Sequence, residues 1–152
     1  MKIALGCDHA GLELKPAVIR VIEELGMEYI DFGSNDPNDR TDDYPVYAAR
    51  AARCVARGEA DRGIVLCGTG VGVGITANKV KGIRCVVCSE PYSAKMSRRH
   101  NDANMLAMGA RVLGRELASD IARAFLETEF EGGRHARRVE MIAKVENGGE
   151  IE

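Results

Sequence analysis

At 152 residues and a formal net charge of −2 at pH 7, the chain is one domain in size, long enough to bury roughly 68–70% of the surface its unfolded form exposes. It needs neither disulfide nor metal to hold a core. With 45% hydrophobic and 29% charged residues it has the balance of a globular protein without the basic excess that non-specific nucleic-acid binding requires, and no apolar run approaches the ~20 residues of a membrane span.

The chain opens with "KIALG" (2–6), a short apolar run that passes straight into "CDHAG" and an amphipathic pattern, which reads as a first strand and not as a signal peptide. Pro16 in "LKPAVIRVIEELG" would break a helix interior. It therefore suits the first turn of a helix over 16–25 that Gly26 stops; a helix from residue 10 bent at Pro16 is the alternative. A second strand is predicted at "EYIDFG" (28–33). The loop "GSNDPNDRTDDYP" (33–45) follows, polar and proline-containing, and it belongs at the surface near a site mouth. Its aspartates do not follow the spacing of a calcium loop, so they read as solvated.

A helix over 44–57 leads to the strand "GIVLCG" (63–68), a glycine-rich turn and a helix over 71–80. The strand "IRCVVC" (83–88), a helix over 92–100, the strand "NMLAMG" (104–109) and helices over 114–127 and 135–145 complete the series. Residues 1–145 form the domain, and "ENGGEIE" (146–152) reads as a frayed polar tail. Strands alternating with helices specify an α/β fold: a Rossmann-like, five-stranded parallel sheet flanked by helices, with the flavodoxin-like strand order 2-1-3-4-5. Ligands of such sheets bind at the carboxyl ends of the strands where the chain reverses direction. That rule brings "GCDHAG" and "CGTGVGVG" together, and with them Asp8, His9 and Cys67.

Cysteines stand at 7, 54, 67, 85 and 88, an odd number without the spacing of a disulfide framework, which fits a reducing cytoplasm. Cys85 and Cys88 fall three apart in a strand and so point to opposite faces; they read as structural and not as a metal or redox pair. Cys7, after the first strand, is the cysteine expected to approach Cys67 in space if the two form a redox couple.

The turn "LCGTGVGVGITANK" (66–79) carries the chemistry. Gly68, Gly70, Gly72 and Gly74 occupy alternate positions, with Val73 and Ile75 where a dinucleotide fingerprint would need glycine. No G-K-[ST] is present for a Walker loop, and Val73 also stands where a cysteine phosphatase loop has arginine. What remains is a thiol at the start of a helix. There the dipole and free N–H groups favour a thiolate, which can act as base or nucleophile. A buried structural cysteine before a close-packed turn is the competing reading. Farther along, "SRRHNDANM" (97–105) supplies His100 and Asn101, and "GARVLG" (109–114) supplies Arg111. In "EGGRHARRVE" (131–140), Arg134 and Arg138 share one helical face suited to a phosphate, whereas Arg137 points elsewhere.

Together "GCDHAG", "DYP", "LCGTGVG", "ANK", "GIR", "SRRHNDANM", "GARVLG" and "EGGRHARRVE" resemble the ribose-5-phosphate isomerase type B family, related to the galactose-6-phosphate isomerases, from residue 2 to about residue 145. The resemblance implies a metal-free, cofactor-free aldose–ketose isomerase, a homodimer or homotetramer, interconverting D-ribose 5-phosphate and D-ribulose 5-phosphate through a cis-enediolate. In the branch of that family without a glutamate in the glycine loop the base is a cysteine, here Cys67.

The resemblance further implies that His100, or else Asp8, opens the sugar ring, and that Thr69 and the N–H groups from Gly68 through Gly70, Val71 and Gly72 to Gly74 hold the intermediate. Arg134 and Arg138 with His9 would bind the phosphate, and Asn101 and Arg111 the sugar hydroxyls. The segment carrying His100, Asn101 and Arg111 would come from a neighbouring subunit. Competing readings are an isomerase of allose 6-phosphate or galactose 6-phosphate, and a thiol-redox or sugar-phosphate-binding module.

Overall fold

The computed structural model describes every residue from Met1 to Glu152. Five parallel strands, β1 (Lys2–Cys7), β2 (Glu28–Asp31), β3 (Arg62–Cys67), β4 (Cys85–Val87) and β5 (Met105–Gly109), form one sheet. Six helices accompany them: α1 (Lys15–Glu24), α2 (Tyr44–Ala56), α3 (Val71–Ala77), α4 (Pro91–Asn101), α5 (Arg115–Glu127) and α6 (Arg134–Glu146). Pro16 lies in the first turn of α1, preceded by a separate short 3-10 turn at His9–Gly11, so the chain does not build one bent helix.

The sheet order is β2-β1-β3-β5-β4. This corrects the expected 2-1-3-4-5 by exchanging the last two strands. "IRCVVC" and "NMLAMG" are equally apolar, but β5 is buried at all five positions while β4 is a three-residue strand of partly exposed side chains, as befits an edge. Right-handed crossovers then dictate the layers. The chain moves one way from β1 to β2 and from β4 to β5, which places α1 and α4 on one face; it moves the other way from β2 to β3 and from β3 to β4, which places α2 and α3 on the opposite face.

The core divides accordingly. Ile3, Leu5, Ile64 and Leu66 pack with Val18, Ile22, Ile121 and Phe125 on the first face, where α5 joins α1 and α4. Ala4, Val65 and Cys67 pack with Ala48, Ala51, Ala52 and Val73 on the second. Strand periodicity of two accounts for this sorting. Cys85 packs on the second face and Cys88 lies in the core of the first, as their spacing predicts.

Two buried cations tie loops to this frame. Lys15 pairs with Asp31 at 2.5 Å and donates to the Ser34 carbonyl at 3.0 Å. Arg62 donates to the carbonyls of Phe125 and Leu126 at 2.9 Å each, so the end of α5 cannot leave β3 without stranding a buried guanidinium.

Helix α6 is different. His135 is its only buried residue, and Ile142 and Val145 stand 46% and 53% exposed. Between α6 and the β4 edge lies an apolar cavity of about 800 Å³ walled by Ile83, Val86, Met141, Ile142 and Val145. The helix runs through Glu146, whose carboxylate accepts the N–H of Gly82, and Ile151 reaches the same cavity.

Candidate functional site

Strands β1 and β3 are neighbours whose following helices lie on opposite faces, so their carboxyl ends open a crevice between "CDHAG" and "CGTGVG". A cavity of about 480 Å³ occupies it, lined among others by Asp8, His9, Cys67, Thr69, Tyr44 and Arg111. Gly68, Val71 and Gly72 line the same space.

Cys67 ends β3 and is 6% exposed. Its Sγ accepts the N–H of Gly70 at 3.1 Å. Gly70 caps α3 at φ +80°, and a Cβ there would fall 2.9 Å from the Met108 carbonyl carbon, so only glycine fits. That left-handed step turns the chain so that the N–H groups of Gly68, Thr69, Gly72 and Val73 bond no group of the chain, while Val71 N–H donates to Thr69 Oγ1 at 3.3 Å. A cluster of unengaged N–H groups beside a thiol suits an anion or a developing oxyanion. Val73 itself is fully buried among the α2 and α3 side chains.

Asp8, 7% exposed, caps the 3-10 turn by accepting Gly11 N–H on Oδ1 at 2.9 Å, and its Oδ2 has no partner in the chain. His9 is held by a residue that motif reading left in the solvated loop. The Asp42 carboxylate is fully buried; one oxygen accepts the His9 main-chain N–H at 2.6 Å and the other contacts Nδ1. Asp42 and Tyr44 are thus the parts of the site to which sequence reasoning gave no role. Tyr44 lies in the "DYP" segment of the resemblance, and the only signal for Asp42 was its position just ahead of α2 in a loop that ends at the crevice.

Arg111 also lines this cavity, close against Gly68. This chain's own Arg111 therefore stands at the crevice that holds Cys67. The segment "GARVLG" follows the carboxyl end of β5, whose Gly109 pairs with Cys67.

His100, Asn101, Arg134 and Arg138 are elsewhere. They precede β5 or follow α5, at the opposite edge of the sheet, because Met105 pairs with Gly63 while Gly109 pairs with Cys67. Four residue steps along a strand separate the two edges by about 13 Å before any side chain is considered. At that far edge Glu131 N–H donates to the Arg99 carbonyl at 3.0 Å, and the His100 and His135 rings stack with centroids 4.3 Å apart. Asn101 and Arg138 line the α6 cavity. Glu131 sits beside the two imidazoles, but planes only 13° apart send the in-plane lone pairs side by side, whereas a metal needs them to converge.

The remaining thiols do not form redox couples with Cys67. Cys7 pairs in register with Leu66, so its side chain lies on the α1 face while Cys67 lies on the α2 face. Burial pushes the Cys7 thiol up to about 12, and the Cys85 and Cys88 thiols to about 12 and about 11.

The fold and crevice thus define an α/β protein with a thiol beside a turn of unengaged N–H groups at a topological switch point, an arrangement suited to a small anionic ligand. The chain belongs to the ribose/galactose isomerase family, whose profile matches residues 3–142. It is 56% identical over 145 residues to ribose-5-phosphate isomerase B of Escherichia coli (strain K12), covering 95% of this chain and 96% of that protein. It is 43% identical to a D-erythrulose-4-phosphate isomerase of Pectobacterium atrosepticum over 97% of this chain and 96% of that one. The structure of Clostridium thermocellum ribose-5-phosphate isomerase B superposes with a TM-score of 0.92 at 50% identity, covering 97% of this chain and 99% of that chain.

Proposed function

We propose that the protein is an aldose–ketose isomerase that interconverts D-ribose 5-phosphate and D-ribulose 5-phosphate, with Cys67 as the base and a site completed by a second copy of the chain. Carrying this reading is one juxtaposition: the Cys67 sulfur lies beside four N–H groups that bond nothing in the chain, in a cavity shared with Asp8, His9, Thr69 and Arg111. Family membership and high identity to ribose-5-phosphate isomerase B support the reaction and the substrate.

The closed sugar must first open, which needs an acid–base at the ring oxygen and the anomeric hydroxyl. His100 is assigned that role, with Asp8, whose Oδ2 is unengaged, as the second choice. The Cys67 thiolate then takes the proton from C2 of the aldose. The negative charge that develops on oxygen meets the N–H groups of the glycine turn, each such donor being worth ~10²–10³ in rate in comparable sites. The thiol returns the proton to C1 on the same face, and the Thr69 hydroxyl carries the O2 proton to O1, so that C1 ends as CH2OH and C2 as the ketone. His9 and the guanidinium groups of Arg134 and Arg138 hold the phosphate, while Asn101 and Arg111 contact sugar hydroxyls.

Within one chain this set is divided between the two edges of the sheet. The account therefore requires a homodimer, or a homotetramer built as a dimer of dimers, in which His100, Asn101, Arg134 and Arg138 of one copy face Cys67 of the other. Exposed Val71 and Ile75 beside the crevice, and the open apolar cavity under α6, are surfaces such an assembly would cover. Five free thiols, and no helix long and apolar enough to cross a membrane, are compatible with a cytoplasmic setting.

The test is turnover of ribose 5-phosphate by purified protein in the presence of EDTA, compared as kcat/KM with four-carbon and six-carbon sugar phosphates. A preference for the pentose supports the assignment. Preference for another chain length moves the substrate within the family, and absence of turnover on all of them refutes the isomerase.

A further inference from the structure

The proposed mechanism leaves one buried charge unused. Asp42, on the loop before α2, has a side chain with no solvent exposure, yet its only bonds are to His9, 33 positions away: the main-chain N–H at 2.6 Å and ring Nδ1. We propose that Asp42 is a positioning residue that locks His9 with Nδ1 protonated and Nε2 turned to the substrate phosphate. The proposal rests on the reading that His9 binds the phosphate.

A carboxylate left without water is retained only where its partners repay the desolvation, and both oxygens here are spent on one residue. With Nδ1–H donating to Asp42, ring rotation is blocked, as in carboxylate–histidine pairs that orient a ring for a ligand at the other nitrogen. Nε2 has no partner in the chain, and His9 lines both the Cys67 cavity and the neighbouring one that contains Arg40 and Arg111. The Asp42 carboxylate faces Nδ1, so the opposite ring nitrogen, Nε2, is the one presented to the crevice.

Two other aspartates of the same loop behave differently. Asp36 accepts from Asn38 N–H at 2.9 Å and Asp39 from Thr41 N–H at 2.8 Å, local turns two residues long. Asp42 reaches out of its loop altogether, to a residue of the crevice.

The experiment is a double-mutant cycle on the assembled enzyme with Asp42→Asn and His9→Ala. Asparagine keeps an acceptor for the main-chain N–H but presents no charge to the ring. Asp42→Asn should raise the KM for ribose 5-phosphate and the Kd of a phosphorylated acid analogue about tenfold, leave kcat within about threefold, and leave the Kd of the unphosphorylated analogue unchanged. In the His9→Ala background the same change should cost nothing further.

If Asp42→Asn alters neither constant, or weakens binding equally with and without His9, or acts on kcat instead of KM, the positioning role is wrong. If His9→Ala itself leaves binding of the phosphorylated analogue intact, it is the phosphate-binding assignment of His9 that fails, and the inference falls with it. Asp42→Glu, which restores the charge, should recover part of the affinity; a variant that loses it as fully as Asn does would show that loop geometry alone is at work.

Discussion

Replacing Gly70 by alanine probes the glycine turn on which both structure and chemistry depend. Two costs add. An L-residue at φ +80° pays ~1–2 kcal/mol for the left-handed conformation, and the new Cβ would lie 2.9 Å from the Met108 backbone, which yields only at the ~1–3 kcal/mol typical of overpacking. The sum, ~2–5 kcal/mol, is a large part of the ~5–15 kcal/mol that stabilises a domain. It corresponds to a fall in Tm of roughly 4–20 °C at this chain length.

Gly82→Ala is the control. Its φ is +84° but nothing lies within 4 Å of the added atom, so it should cost only the conformational part. Because Gly70 N–H also bonds the Cys67 sulfur, the Gly70 variant should lose ~10²–10³ in kcat as the donors shift, while Gly82→Ala stays near wild type. Thermal unfolding and steady-state kinetics on both variants measure the two effects. Equal melting of the pair, or a Gly70→Ala enzyme with kcat within threefold of wild type, would refute the reasoning.

Three further outcomes are expected. Mixing inactive Cys67→Ala with inactive His100→Ala, followed by subunit exchange, should restore activity, because hybrid assemblies contain one site with both residues intact; no recovery would show that the site does not cross between copies. Alkylation at pH 8 followed by peptide mass spectrometry should mark Cys67 before any other cysteine, since burial raises the thiols of Cys7, Cys54, Cys85 and Cys88, and phosphorylated substrate should slow the labelling; prior labelling of Cys7 or Cys85 would contradict this.

The third concerns pH. Burial, His100 and Arg134 hold the His135 imidazole below its usual range, with Glu131 opposing. The unfolded chain then binds more protons than the folded one as pH falls below the ordinary histidine value near 6.5, so stability is lost from about 6.5 downward. The urea midpoint should drop more between pH 7.5 and 5.5 for wild type than for His135→Asn; parallel curves would contradict it.

Much of this molecule is written in local patterns. The five strands and six helices were legible because short apolar runs mark the strands and apolar residues repeat near four along the helices, and Pro16 and Gly26 mark a start and a stop. Even the crevice followed from connectivity, since right-handed crossovers force "CDHAG" beside "CGTGVG" whatever their side chains. The order of β4 and β5 was not legible: both are short apolar runs, and their places depend on which face α4 covers, a property of the whole sheet. Asp42 was hidden for a related reason. One aspartate among four in a polar loop is distinguished only by a partner 33 residues away. Arg111 looked like part of the His100 segment because only a few residues intervene, but β5 runs between them and carries them to opposite edges of the sheet.

The claim on which the rest depends is that Cys67 moves the proton. The decisive measurement pairs kcat of Cys67→Ala with its Kd for a phosphorylated acid analogue of the substrate. Removing a general base costs typically 10²–10⁴ in rate, so the account requires a fall in kcat of at least that order with a Kd within a few-fold of wild type. A Cys67→Ala enzyme that binds normally and turns over within tenfold of wild type would contradict it and assign the base elsewhere in the crevice.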